Sequence, residues 1–478
     1  MKTYAQHITT AVLAFFTGLS LVSCGGVGQD GTGATPPDTR STGVVNGFGS
    51  VVVNGVHFDV SRAEIALDGS TGHSQSDLRV GMVVEVAGTV ASDGATGTAT
   101  RLAYESLLRG NIEGAPNAGI VSVLGQRVSI DDATLFESAA GITDLQAGDR
   151  IQVSGFKTPD GSLRATWVSR ESSGSDLQIT STLTSVAGNS IGLSGLIIDI
   201  TGAELNGVTP ASLAQGQWVR VVLQAAPVGG AAAASKLSLI DRHGAEQLRK
   251  QQLQGFVAQW NASTNTFNLN GQTVQVGPTT QYQDGNLGNL STGVRIQVVG
   301  TLNANQVLNA DKLRFFPASL TGYGRGKVKF VNAGNLRFNL LDNPGGVEVR
   351  VRADTLLNDS SVAGGVLNLA NLAINDEVLV LGRATSNGID AEVVTRLPST
   401  SPGTGVGGPA RLISGTTMLT ILGINAEVNG ASFFDVSGVP MSQSAFLAAL
   451  QQDELVRAEG VYNPVTGVLA ATSVRFAR

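Results

Sequence analysis

Along most of the chain apolar residues alternate with polar ones at a period of two, and glycine-bearing turns cut the alternation into short runs. Val347, Val349 and Val351, for example, are interleaved with Glu348, Arg350 and Arg352. That period belongs to strands with one buried face. The stretch from Leu145 to Val168 shows the unit in full. Ile151 and Val153 alternate up to Gly155, Pro159-Asp160-Gly161 makes a turn, and Leu163, Ala165 and Val168 carry a second run. Glycine supplies a positive φ and proline pre-sets the turn, so the stretch predicts a β-hairpin.

The same skeleton occurs six times. Leucines at 78, 145, 213, 290, 372 and 450 are each followed, three residues on, by Gly81, Gly148, Gly216, Gly293, Asn375 or Asp453. A β-branched residue comes next (Val84, Ile151, Val219, Ile296, Val378, Val456). Four residues beyond it stands a glycine (Gly88, Gly155, Gly300, Gly382, Gly460), replaced by Leu223 in the third copy. This glycine is expected to end its strand. After a variable turn an alanine precedes an aliphatic by three, from Ala99 and Leu102 through Ala471 and Val474. The leucines are 67 to 82 residues apart, longer than a solenoid unit. Such a spacing suits small domains, since about 60 residues can just bury a core.

The expectation is therefore an all-β chain of about six small OB-like barrel modules: 43–109, 110–171, 176–242, 252–317, 319–397 and 410–478. Helix is confined to short pieces. Thr209 and Pro210 are an N-cap and N1 pair, and Ser442 can cap a helix in which Phe446 and Leu450 share a face. Arg242 to Gln254 is expected as a helical linker, and Leu397 to Pro409 as a flexible one. An OB-like barrel carries its helix between its third and fourth strands, where these short segments fall.

The pattern, most clearly AGDRIQVSG, DGSLRATWV and TGVRIQVVG, resembles the repeats known as domain of unknown function 5666, across 43–478. The resemblance implies short OB-like modules, in tandem, in secreted and lipid-anchored bacterial proteins, and no activity or catalytic residue. Copies three, five and six depart from it, with Leu223, Asn375 and Asp453, and altered turns are expected in the last two.

The first residues read as an export signal: Lys2, then an apolar run from Ala11 to Val22 too short to span a bilayer. Leu21-Val22-Ser23-Cys24 matches the bacterial lipobox and makes Cys24, the single cysteine, the expected site of lipidation. Several acyl chains on one residue give firm anchoring. The likeness to lipoproteins of two-membraned bacteria implies the outer membrane, because Gly25 rather than aspartate follows the cysteine; which side of it the chain faces stays open. Residues 24–42, rich in glycine, threonine and proline, are expected as a flexible tether. Gly25 to Asp30 holds one copy of a calcium-repeat-like motif that needs stacked copies, so it predicts no metal site.

Composition removes further classes. Acids outnumber bases 37 to 31 for a net charge of −6, and aromatics are 5%. Nucleic-acid binding by an OB-like face needs clustered cations and stacking rings, so no nucleic acid is expected. Of four histidines, His57, His73 and His243 follow the signal, without metal-ligand spacing. His57 and Asp59 fit a solvated strand face. Gly322 to Lys327 lacks the spacing of a phosphate loop and is expected to open the first strand of module five. Asp68-Gly69, Asp93-Gly94, Asp160-Gly161 and Asp284-Gly285 are turns whose carboxylates should be solvated with ordinary pKa values. No catalytic residue and no cofactor is predicted. Trp167, Trp218 and Trp260 are expected in cores.

The function that follows is a non-catalytic, lipid-anchored envelope spacer or binding scaffold, with an envelope protein or polysaccharide as partner. Glycan or small-ligand binding by module four through Trp260 and Tyr282 is one alternative, and an enzyme with a site between modules is another. A transmembrane barrel fits less well, because the aromatic girdles are missing.

Overall fold

The computed structural model describes residues 38–240, 248–341, 346–362, 364–401 and 403–477. Alternation has its expected consequence: the chain forms six small closed barrels, with strands spanning 39–104, 108–170, 177–239, 250–315, 322–396 and 404–476. In module one the first strand, Thr39–Gly47, pairs antiparallel with both Val51–Val53 and Val83–Val90. The third strand, Val56–Asp59 and its continuation Glu64–Leu67, runs parallel to the last, Thr96–Tyr104, which returns antiparallel to Val83–Val90. The circuit of first, second, third, fifth and fourth strand is that of an OB-like barrel. In module two a single bridge between Ile112 and Val123 closes it. A 3-10 turn precedes the fourth strand in the first four modules, Pro210–Ser212 behind Thr209 among them. In module six that place is taken by the helix Gln443–Ala449, capped by Ser442 with Phe446 buried.

The repeated residues now acquire reasons. The glycine expected to end the fourth strand sits instead at a β-bulge in mid-strand, facing the repeated alanine: Gly88 faces Ala99, Gly155 faces Ala165 and Gly382 faces Ala391. A Cβ on Gly155 would fall 2.9 Å from the carbonyl carbon of Arg164, closer still to its oxygen, and 3.0 Å from Ala165 Cα. The strand runs on to Lys157, and its counterparts to Val90, Leu302, Ala384 and Asn463. Only in module three, with Leu223 at this place, does it stop there. The earlier glycine has another cause: Gly148, Gly216 and Gly293 have φ between 89° and 95°. Asn375 and Asp453 adopt 72° and 62°, so the altered turns expected in modules five and six do not occur. Asparagine and aspartate are the side chains that tolerate this region best.

The barrels are not independent beads. Their first strands pair with one another: Thr39–Thr42 parallel to Lys250–Leu253 (modules one and four), Leu108–Arg109 antiparallel to Gln178–Ile179 (two and three), and Tyr323–Arg325 antiparallel to Gly405–Gly407 (five and six). Three continuous sheets result, of 12, 12 and 14 strands. Cores merge accordingly. Modules two and three share one apolar cluster, and so do five and six. The core of module one takes in Leu135 and Trp167 from module two and Tyr323, Leu381 and Val393 from module five. The expectation that each barrel buries only its own residues is corrected to that extent.

Three segments expected as linkers are therefore strand. Residues 39–42, placed in the tether, are buried between two barrels, where the Ser41 hydroxyl meets Gln252 Oε1 at 3.2 Å and Val44 N donates to Gln254 Oε1. Of Arg242 to Gln254, residues 241–247 lie outside the described residues and Lys250–Gln254 open the first strand of module four. The second half of Leu397 to Pro409 is the first strand of module six. Its glycines serve close approach: Cβ atoms on Gly405 and Gly407 would stand 2.9 and 3.0 Å from Tyr323.

Candidate functional site at the meeting of the modules

Cys24 and the Gly25 to Asp30 motif lie outside the described residues, as does His243. Trp260, at the end of the first strand of module four, is half-buried with its ring 6.3 Å from that of Phe267, and Tyr282 is half-buried elsewhere on the same core. Burial pushes the Tyr282 phenol above its ordinary pKa. The ring that Trp260 meets is Phe267, not Tyr282, and both residues spend much of their surface on packing. His57 and Asp59 share the exposed face of a strand whose Val56 and Phe58 are buried. His73 Nδ1 lies 3.5 Å from Asp77. Among the described residues no group of three or more histidine, cysteine, aspartate or glutamate side chains is placed to hold a metal ion. Gly322 to Lys327 opens the first strand of module five, with Gly326 at φ 155°.

The Asp-Gly turns divide into two kinds. Asp160, hydrogen-bonded by Thr158 and Ser162, and Asp93, hydrogen-bonded by the amides of Ala95 and Thr96, are exposed. Those bonds hold both carboxyls below the ordinary aspartate range, contrary to the ordinary values expected. Asp68 and Asp284 are largely withdrawn from solvent, with side chains only 14% and 15% exposed.

Asp68 is where three modules meet. It accepts from Ser106 N at 2.8 Å and the Ser106 hydroxyl at 2.9 Å, in the join of modules one and two. Arg109 and Gln152 of module two add bonds of 3.2 and 3.3 Å, and Gln178 of module three one of 3.1 Å. Asp284 occupies the corresponding position between modules four and five. Arg314, Arg352 and Arg383 converge on it, and Arg314 also pairs with Asp354 and Glu392. Phe316 lies under both Arg314 and Arg295, at 4.4 and 4.6 Å. Burial lowers the Arg295 pKa to about 10 while Glu392 opposes the fall, so it stays charged at neutral pH. Buried charges are tolerated only when paired in this way. A turn signature in the sequence reports the backbone conformation and says nothing of what arrives around the carboxylate.

A cleft of about 560 Å³ lies beside the Asp68 junction. Its floor is the outer face of the module-one sheet, where register sets Arg40 beside Ala87 beside Arg101, and Thr42 beside Glu85 beside Ala103. The walls come from modules two and three (Leu107, Gly155, Arg220, Leu239, Ile240) and from Leu248. Arg40 Nε is 3.4 Å from Glu85, and Arg220 donates to Glu105 at 2.6 Å. Gly69, in the turn after Asp68, leaves the room that the Arg220 guanidinium fills. The short side chains of Ala87 and Ala103 on the floor leave the space. No motif could have announced it, because its residues come from three modules and from Leu248 beyond them.

Three stretches of the chain, 42–103, 109–169 and 254–314, match the family model described as a domain of unknown function, DUF5666. Those stretches fall on modules one, two and four. The family model does not extend to modules three, five and six, the copies in which Leu223, Asn375 and Asp453 replace repeated glycines, although they close the same five-strand circuit. No curated protein matches the chain. A solved structure titled "drosophila Unr CSD456" matches 44% of this chain and 97% of its own at 11% identity, with a TM-score of 0.13, too slight a likeness to carry an argument.

Proposed function

We propose that the protein is a non-catalytic, lipid-anchored scaffold of the bacterial outer membrane, a stiff body of OB-like barrels on an N-terminal tether that presents surfaces to an envelope protein or polysaccharide. The observation that carries the stiffness is the pairing of first strands, which fuses barrels two by two across long sequence separations. The Asp68 and Asp284 junctions then tie the fused pairs together. A hinge between two such barrels would have to break a sheet and expose paired charge, so the modules cannot swing as beads on a string. The lipobox at Cys24 supports the anchor. Limited proteolysis of the full chain tests the body: a rigid scaffold resists cleavage at the joins after Tyr104, Arg170 and Phe315, and release of module-sized fragments would overturn it. Membrane fractionation of Cys24→Ser tests the anchor, with unchanged fractionation counting against it.

A further inference from the structure

We propose that the open outer face of module five binds a chain of β-linked, glucose-type pyranoses, stacked on Phe330 and hydrogen-bonded by Asn339, Arg337 and Arg350. The proposal rests on the reading of the protein as a presenting scaffold, and assigns the polysaccharide partner a face. Strand register builds the platform. Phe330 stands beside Asn339, and Asn339 beside Glu348; in the next row Asn332, Arg337 and Arg350 are neighbours, with Asp390 beyond. Val331, Phe338 and Val349, which alternate with these residues, pack into the core, so both rows face outward. The ring departs from the pattern of the repeat. Phe330 is 55% exposed, whereas every other aromatic side chain among the described residues is buried or half-buried. The first strands of modules one and three carry the same bulge, and there the row opens with Gly47 and Ser185. The barrel therefore closes without a ring at this place.

Planar hydrogen-bonding groups surround it. The Asn339 amide makes no hydrogen bond among the described residues. Arg337 meets the two Glu348 oxygens at 3.3 and 3.2 Å, and Arg350 meets Glu348 at 3.1 Å and Asp390 at 3.5 Å. A guanidinium has more N–H donors than these pairs use, so donors remain for a ligand's hydroxyl oxygens. Neighbouring strands lie about 4.8 Å apart, so the row from Phe330 to Glu348 runs about 10 Å, the length of two linked sugar rings. A β-linked glucose-type ring carries its hydroxyls at the rim and axial C–H bonds on its faces. The faces suit the phenyl ring, and the rim suits the amide and the guanidiniums. A nucleic-acid strand needs cations for its phosphates, and both guanidiniums of this face already hold carboxylates. A protein partner needs a broader apolar centre than one ring supplies.

Saturation-transfer NMR on the full chain in nanodiscs, with cellohexaose, laminarihexaose and oligothymidylate as probes, tests the assignment. At least one hexaose should bind saturably and receive saturation most strongly at its axial ring protons. Phe330→Ala should weaken that hexaose about three- to tenfold, the worth of an aromatic stacking contact. Phe330→Leu should weaken it as much, since leucine keeps an apolar surface and loses the π face, while Phe330→Trp should retain binding. All three substitutions are at an exposed site and should leave the melting temperature unchanged. No saturation transfer to either hexaose, hexaose affinity unmoved in Phe330→Ala, full retention in Phe330→Leu, or oligothymidylate binding tighter than either hexaose would each overturn the proposal. Proteolysis and membrane fractionation read the scaffold separately, and no Phe330 variant should alter them.

Discussion

Gly148 and Gly155 stand seven residues apart in module two and should respond oppositely to substitution. At Gly155 the obstacle is steric. A Cβ would be 2.9 Å from the carbonyl carbon of Arg164 and 3.0 Å from Ala165 Cα. Both neighbours are backbone of the paired strand, so no side chain can rotate away. Gly155→Ala must push the fourth and fifth strands apart at the bulge, and forced overpacking of this kind costs about 1–3 kcal/mol. At Gly148 a Cβ would meet nothing within 4 Å, and the demand is only φ 89°. Asn375 and Asp453 already meet that demand, so Gly148→Asn should cost under about 1 kcal/mol. Modules two and three share a sheet and a core, and in a cooperative unit of that size 1 kcal/mol moves the melting temperature by about 2–4 °C. Calorimetry should therefore find Gly155→Ala lowered by about 2–12 °C and Gly148→Asn within about 4 °C of the parent, with Gly155→Ala the lower of the two. The reasoning fails if the two variants melt together, or if Gly155→Ala is the milder.

Other consequences can be measured on the same material. Asp68→Ala strips the acceptor from Arg109, Gln152 and Gln178 at once, and should cost about 3 kcal/mol and open the joins near Tyr104 and Arg170 to protease; Asp160→Ala, in an exposed turn, should cost under about 1 kcal/mol. Asp359 has a fully covered carboxylate. Burial alone would raise its pKa, but bonds from Arg396 and Ser361 outweigh it and hold the value below 3.8. Its stabilisation is thus complete above pH 3.8 and lost as pH falls through the lower folded value. Asp359→Asn should melt below the parent at pH 6 and converge with it at pH 2, and a constant gap would contradict this. Trp260→Phe should leave the far-ultraviolet circular dichroism intact and destabilise module four modestly; loss of binding to an envelope polysaccharide would instead restore a glycan role for that face.

Fold class was legible because its cause is local. Period-two alternation and turn glycines are written within each module, and the repeated Gly–Ala pair marks the same bulge five times, with Leu223 and Ala234 in its place in module three. What escaped is everything that depends on a second barrel. Thr39–Thr42 looks like tether because its polar side chains line a seam with module four, where Ser41 meets Gln252, more than two hundred residues away. The GTGVGG run looks like linker because glycine permits both flexibility and close approach, and only Tyr323 across the seam decides between them. Asp68 and Asp284 carry the turn signature of Asp160, yet Arg109, Gln152 and Gln178 around the first, and Arg352 and Arg383 around the second, come from other modules. The cleft escaped for the same reason, since its lining is assembled from three modules and Leu248.

The parallel seam between residues 39–42 and 250–253 fixes an order of events as the chain is made. The first strand of the barrels emerges early, yet the neighbour that covers its outer edge follows only after two further barrels have emerged. Until then its amide and carbonyl groups are an open template for any passing strand, including the same segment of another nascent chain. Chains truncated after module three should therefore associate edge to edge, and the intact chain needs either fast delivery of module four or a chaperone to hold that edge in the interval.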